Sequence, residues 1–277
     1  MKYFLHLGYD GSKYRGWQRQ AHVKSVQETI ENHLARIFKT KITVYGCGRT
    51  DAGVHAAQYV AHINLKDTLT FDLKFRLNKN LPDEIVVYEV ILMDDHQHAR
   101  YDATARTYDY FIHFTKDPVL DNYSTLYSLN QDRIQDKPEQ LDFNAMKHAA
   151  DLICIGNKIK DFRHFCKQPD LHNHTLCQVE NAKLLVTSAH NRVHFTMTAN
   201  RFLRGMMRII VASLIDIGLG KLSLTEFKNM LNNEGEETEK IPAHPNGLFL
   251  SEVRYPYLTL KKHDHLCALL KTGYENV

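Results

Sequence analysis

Apolar residues recur along this chain with two periods, and each period predicts a different element. In residues 2–9, Tyr3, Leu5, Leu7 and Tyr9 fall on one side of a period-two pattern, which predicts a strand. The same pattern predicts strands over 57–63, 85–92, 106–114, 179–186, 192–199 and 248–255. In 106–114 the shared face is Tyr108, Tyr110, Ile112 and Phe114; in 192–199 it is Val193, Phe195, Met197 and Ala199. A period near 3.6 joins Val26, Ile30, Leu34 and Ile37 into the apolar face of a helix, opened by a capping box at Ser25 and Glu28. Further helices are predicted near 71–77, over 143–155 with Gly156 closing the helix, over 202–217, and over 224–231 behind a second capping box at Ser223 and Glu226.

Residues 115–140 break the pattern. They are polar, carry two prolines and have little periodicity, so they read as a connector. The chain then divides into an N-terminal half (1–114), the connector (115–140) and a C-terminal half (141–277). Each half mixes strands and helices, and its strands neighbour each other like hairpins. That predicts an α+β fold on antiparallel sheets rather than a doubly wound parallel sheet.

Composition narrows the class. The hydrophobic fraction of 43% and charged fraction of 24% are those of a globular protein. There is no run of eighteen apolar residues, and the first residues lack the marks of a signal peptide, so a cytoplasmic protein is expected. Five cysteines, an odd number scattered through a long chain, suggest free thiols. A net charge of +3 points to nucleic acid only if the cations gather on one face.

Three segments concentrate reactive side chains. Residues 8–20 follow a strand and mix aromatics, cations, amides and glycines; Arg15 and Gln18 are the substrate contacts taken from it, and its flat rings suit bases. Residues 46–56 hold three glycines and display Arg49, Thr50, Asp51 and His55 on a tight loop. A carboxylate beside a guanidinium stays ionised, and it can attack carbon or take a proton. Residues 96–108 bring cations to a strand that carries Tyr108, whose phenol can bond, stack or move a proton.

Two further patterns carry less. Arg201, Arg204 and Arg208 stand at helical spacing, opposite Leu203, Met206, Met207, Ile210 and Leu214, which predicts a helix with an arginine face that by spacing alone reads as solvated surface. Cys166, His172, His174 and Cys177 are all zinc-ligand types, but their spacing matches no common zinc signature and reads as a His-rich surface loop. No metal is expected.

The nine residues Gly48 to Ala56 resemble the active-site motif of the TruA family of tRNA pseudouridine synthases. Tyr9–Gly11 with Trp17–Gln20, His98–Arg100 with Arg106–Tyr108, Asp161–Phe162 with Phe165, Phe202–Leu203 with Met207–Arg208, and Pro242–Ala243 with Gly247–Leu248 resemble its other motifs in order. Gln97, Arg163–His164 and Ala199–Arg201 depart from the family pattern, and none of them touches Asp51, Arg49 or Tyr108 in sequence. The resemblance implies that Asp51 is the nucleophile, Arg49 its ion-pair partner and a wedge near the target base, and Tyr108 a contact to the target nucleotide. It places Thr50, His55, Leu248, Arg204 and Arg208 among the substrate-binding residues, with Leu248 in the pocket wall. It further implies two ferredoxin-like (RRM-like) halves joined across a central basic cleft, a homodimer, tRNA uridines 38–40 as substrate, and no cofactor. The rival reading is a catalytically silent RNA-binding or chaperone protein on the same scaffold.

Overall fold

A computed structural model describes residues 1–127, 141–154, 158–189, 191–235, 241–261, 263 and 266–275. Its elements in chain order are β1 (Lys2–Tyr9), α1 (Val26–Phe38), β2 (Val44–Gly46), β3 (His55–Asn64), α2 (Leu73–Asn80), β4 (Ile85–Met93), β5 (Ala105–His113), β6 (Thr125–Leu126), α3 (Phe143–Cys154), β7 (Ile159–Asp161), β8 (Leu176–Thr187), β9 (Arg192–Ala199), α4 (Met206–Gly218), α5 (Leu224–Leu231), β10 (Leu248–Arg254), α6 (Leu266–Leu270) and β11 (Tyr274–Glu275). The fold is α+β, and most strand pairs are antiparallel. The pairs β10 on β3 and β6 on β5 are parallel. The chain forms two compact units: Met1–Ala105 with Phe249–Cys267, and Arg106–Leu248 with Ala268–Val277.

In the first unit the strand order is β10-β3-β1-β4, with β2 pairing on β3. Every residue of β1 is buried, on both faces. The alternation in β1 suggests one wet face, but that face is covered: Phe4 packs on Tyr255 with ring centroids 5.6 Å apart. Helix α1 begins where Ser25 accepts from the Glu28 N–H, and buries Val26, Ile30 and Leu34. Helix α2 starts at Leu73 rather than near Phe71, because Asp72 takes the cap and accepts from the Phe75 N–H at 2.9 Å.

In the second unit the order is β11-β8-β9-β5, with β6 on β5 and β7 on β8. Val193, Phe195, Met197 and Ala199 of β9 are all buried. The described part of the polar stretch, up to Tyr127, is tied down: His113 Nε2 meets Asp121 at 3.0 Å, and Asn246 Nδ2 donates to the carbonyls of Asp121 and Ser124. Residues 128–140, Ile155 and Gly156 lie outside the described residues.

The arginine helix needs correction. Helix α4 starts at Met206, with Gly205 in a left-handed conformation (φ 73°) at its N-cap. Residues 201–205 are therefore not helical, and Arg201 and Arg204 share no helix face with Arg208. The helix is also no two-faced one: Met206, Met207, Ile209, Ile210, Val211, Leu214, Ile215 and Ile217 are all buried, as in a core helix.

Candidate active site

Asp51 lies on the bend between β2 and β3, and the backbone before and after it is held from beneath. Thr50 is buried, and its hydroxyl shares a 2.8 Å hydrogen bond with Tyr9. Its carbonyl accepts from the Trp17 N–H at 3.2 Å. The Tyr59 hydroxyl donates to the Gly48 carbonyl at 2.6 Å, and the Gly53 N–H donates to the Tyr14 carbonyl at 3.2 Å. Beneath the loop, Trp17 stacks on Tyr59 with centroids 4.0 Å apart. The Asp51 residue itself is half-buried.

The glycines serve separate purposes. Gly53 turns the chain at φ 77°, and the Val54 N–H closes that turn onto the Asp51 carbonyl. Gly16 has φ 90°, and a Cβ there would sit 2.5 Å from the Thr50 carbonyl oxygen, so the neighbouring loop can approach Asp51 only without a side chain. Gly48 has open space around it and no positive φ, so the density of glycines in 46–56 overstates how special the backbone is.

Two expectations for this region are corrected. The rings of residues 8–20 do not offer faces to bases, because Tyr14 and Trp17 are each only 2% exposed. His55 is not displayed on the loop either. It is the first residue of β3, 1% exposed, with its ring stacked 4.6 Å from Phe249 and its Nδ1 3.1 Å from Asp10 Oδ1. Burial pushes the Asp10 carboxyl up, but the hydrogen bonds from His55 and Ser12 outweigh it and hold the carboxyl below the usual range.

Arg49 is exposed, and its Nε donates to Gln18 Oε1 at 3.2 Å. Gln18 is engaged at both ends, since its Nε2 donates to Gln27 at 2.7 Å. Arg15 is exposed. These residues all belong to the first unit.

The second unit carries the other candidates. Tyr108 on β5 is half-buried, edge-on to Phe202 at 4.7 Å. Its neighbour Asp109 is fully buried, 2.7 Å from His194 Nε2 and 2.6 Å from Lys271 Nζ. Burial pushes that carboxyl up, yet His194 and Lys271 hold it far below the usual range. Arg204 is exposed and donates to Gln168. Arg208 Nε donates to the Ala243 carbonyl at 2.6 Å, and Leu248 is buried.

The Cys/His stretch shows no ligand set. Among the described residues no three His, Cys, Asp or Glu side chains converge on a metal position. All five cysteines are free, and burial pushes the Cys177 thiol up to about 12. The props Tyr9, Trp17 and Tyr59 and the Asp109 cluster went unread in the sequence, since nothing local to them marks what they will meet in space.

Residues 159–256 match the family described as tRNA pseudouridine synthase. The chain is 36% identical over 260 residues to the tRNA pseudouridine synthase A of Parabacteroides distasonis, covering 92% of this chain and 96% of that protein. Against the protein of the same name from Porphyromonas gingivalis it is 35% identical over 258 residues, covering 92% and 97%. Against that from Bacteroides thetaiotaomicron it is 36% identical over 280 residues, covering 99% of each. Likeness over nearly the full length of both chains makes this protein an enzyme of an isomerase family. The chain belongs to the tRNA pseudouridine synthase A (TruA) family. No helix among the described residues is long and apolar enough to cross a membrane.

Proposed function

We propose that this protein isomerises uridine to pseudouridine in the anticodon stem-loop of tRNA, at positions 38–40, with the Asp51 carboxylate as nucleophile. The observation that carries the reading is the loop: a carboxylate left half-exposed on a backbone that buried aromatics hold on either side. Covalent catalysis asks for this, because a nucleophile misplaced by an ångström loses much of its advantage. The target base must leave its stack to be attacked. The exposed Arg49 beside the carboxylate suits a wedge that fills the vacated space. In the reaction the bond from ribose C1′ to uracil N1 breaks, a bond to C5 forms, N1 gains a proton and C5 loses one. Substrate and product hold the same atoms, so no co-substrate enters the balance.

On this reading Tyr108 contacts the target nucleotide, Leu248 lines its pocket, and Arg204 and Arg208 serve the RNA backbone. The order β4-β1-β3-β2 in the first unit, with α1 and α2 as crossovers, supports a ferredoxin-like half. A homodimer in the cytoplasm belongs to the same proposal.

The test is Asp51→Asn. The amide is nearly isosteric and cannot act as the nucleophile. We expect pseudouridine formation in a tRNA transcript to fall by roughly 10³-fold or more, with tRNA affinity nearly unchanged. Substantial product from this variant overturns the nucleophile assignment. A wild-type protein that binds tRNA and forms no pseudouridine favours the silent RNA-binding reading.

A further inference from the structure

Three tyrosines stand exposed by more than a third among the described residues: Tyr45 at 44%, Tyr101 at 76% and Tyr257 at 40%. All three attach to the same small group in the first unit. Tyr45 stacks on His62, its cross-strand partner, with centroids 4.9 Å apart and planes at 15°. His62 meets the His98 ring edge-on at 4.5 Å, and His98 lies 4.3 Å from Tyr101. The Tyr257 hydroxyl donates to Asp102 Oδ2 at 2.7 Å, the same oxygen that accepts from the His98 N–H at 2.8 Å. Four rings thus run in a line, wet at both ends.

The support beneath them is rigid. Buried Lys2 donates to the carbonyls of Asp95 and Gln97, and Gln97 Oε1 accepts from the Asp94 N–H at 2.9 Å. The Ala99 N–H points at His62 Nδ1 at 3.4 Å, and the Tyr255 hydroxyl donates to the Ala99 carbonyl at 2.5 Å. Exposed rings held this firmly are costly unless something lies on them, since their placement spends side-chain freedom that water does not reward. Burial pushes both imidazoles below their usual range, aided at His62 by His98 and Lys2 and at His98 by Lys2 and Arg100, so at neutral pH they are flat neutral rings. The exposed Arg100, its guanidinium 5.9 Å from the Tyr101 ring, adds a cation that also stacks.

We propose that the exposed rings of Tyr45 and Tyr101, backed by His62 and His98, form a stacking platform for an unpaired nucleobase of the substrate RNA. The inference rests on the tRNA reading above. An RNA base fits better than an anionic or purely apolar partner, because the surface offers ring faces and one guanidinium beside the carboxylates of Asp95 and Asp102. Stacking is indifferent to which base is present and adds little salt dependence.

The first measurement uses Tyr101→Trp. The chain has a single tryptophan, Trp17, which is buried, so the variant's response to tRNA beyond that of the wild type reports on the platform. Saturable quenching by an unmodified tRNA transcript is expected; unchanged emission at concentrations where tRNA is bound overturns the proposal. The second measurement is affinity. Tyr45→Ala with Tyr101→Ala should raise the tRNA Kd by about 5- to 150-fold. Its log–log salt slope should stay at the wild-type value, because no phosphate contact is removed. Tyr101→Phe, which keeps the ring, should bind as the wild type does. A wild-type Kd in the double variant overturns the platform, and a changed oligomeric state with unchanged Kd assigns the rings to a second copy of the chain instead. Failure of the functional reading looks different: the wild-type protein would form no pseudouridine, whatever the platform variants do to affinity.

Discussion

Asp51 and Asp109 are held in opposite ways. Around Asp51 the supports are neutral: the hydroxyls of Tyr9 and Tyr59, the Thr50 side chain, and the stacked faces of Trp17 and Tyr59. They leave the carboxylate half-exposed. Asp109, in the second unit, is itself the support. Its carboxylate is fully buried and pins Lys271 of the C-terminal segment while bonding His194, whose ring stacks 4.8 Å from Phe111. One aspartate sits on a loop propped by groups without charge. The other is bonded in place by Lys271 and His194 and so can do nothing but hold. The same residue type therefore serves different ends, and burial decides which.

The sharpest way to break the comparison is to remove a support from each region. Trp17→Ala should cost about 3–5 kcal/mol of stability, because the ring is buried and the site cannot collapse under the Asp51 loop. Turnover should fall with it, while Gly48→Ala, with open space at its Cβ, should leave both near wild type. Denaturant unfolding and single-turnover rates check this; equal effects from the two substitutions would mean the loop is not held from beneath. Asp109→Ala should cost less, about 1–3 kcal/mol, by leaving buried His194 without its hydrogen-bond partner while the part-exposed Lys271 turns to water.

Next in size is Tyr108→Phe. Tyr108 and Asp109 are adjacent on β5 and so point to opposite faces. Removing the Tyr108 hydroxyl should therefore lower turnover by roughly 10²-fold without the stability loss of Asp109→Ala. A wild-type single-turnover rate would reduce Tyr108 to a packing or stacking residue and leave the Asp51 assignment intact.

The third contrast is acid response. The folded Asp109 pKa lies below its unfolded value of about 3.9, so the unfolded chain binds the extra proton. Its stabilisation is complete at neutral pH and is lost as pH falls below about 5. Protection factors for hydrogen exchange at residues 271–274, corrected for the intrinsic rate at each pH, should fall over that range in the wild type, and Asp109→Asn should flatten the response. His62 adds to the first unit in the same direction: burial holds it at about 4, so its contribution is whole above about 6.5 and fades from there toward 4. His62→Phe should flatten the melting temperature across that window. The smallest expected effect is Arg204→Ala, which should reduce the salt slope of tRNA binding by about one. An unchanged slope would make Arg204 a solvated surface residue bonded to Gln168.

Much of this was legible in residue order. Alternation located β1 and β9 to the residue, and the Ser223–Glu226 pair marked the start of α5 through a reciprocal capping box that is present. These are local signals, set by side-chain period and by hydrogen bonds within one turn. The loop of Asp51 was likewise visible, because its residue types stand side by side. The arginine spacing misled, since a 3.6 period in residues 201–208 is compatible with a helix, and only the left-handed Gly205 stops it from beginning earlier.

What the sequence by itself determined, then, was where most strands and helices form and which loop is the candidate for the chemistry, because both are written within a few residues of one another. Only the tertiary structure decided which of the polar and aromatic side chains are wet. Trp17, Tyr14 and His55 look displayed in residue order and are buried, while Tyr45 and Tyr101 look ordinary and stand in solvent. The reason is that burial depends on what crosses over a residue, and the covering groups arrive from distant segments, as Tyr59 does under Trp17, Phe249 against His55 and Lys271 onto Asp109.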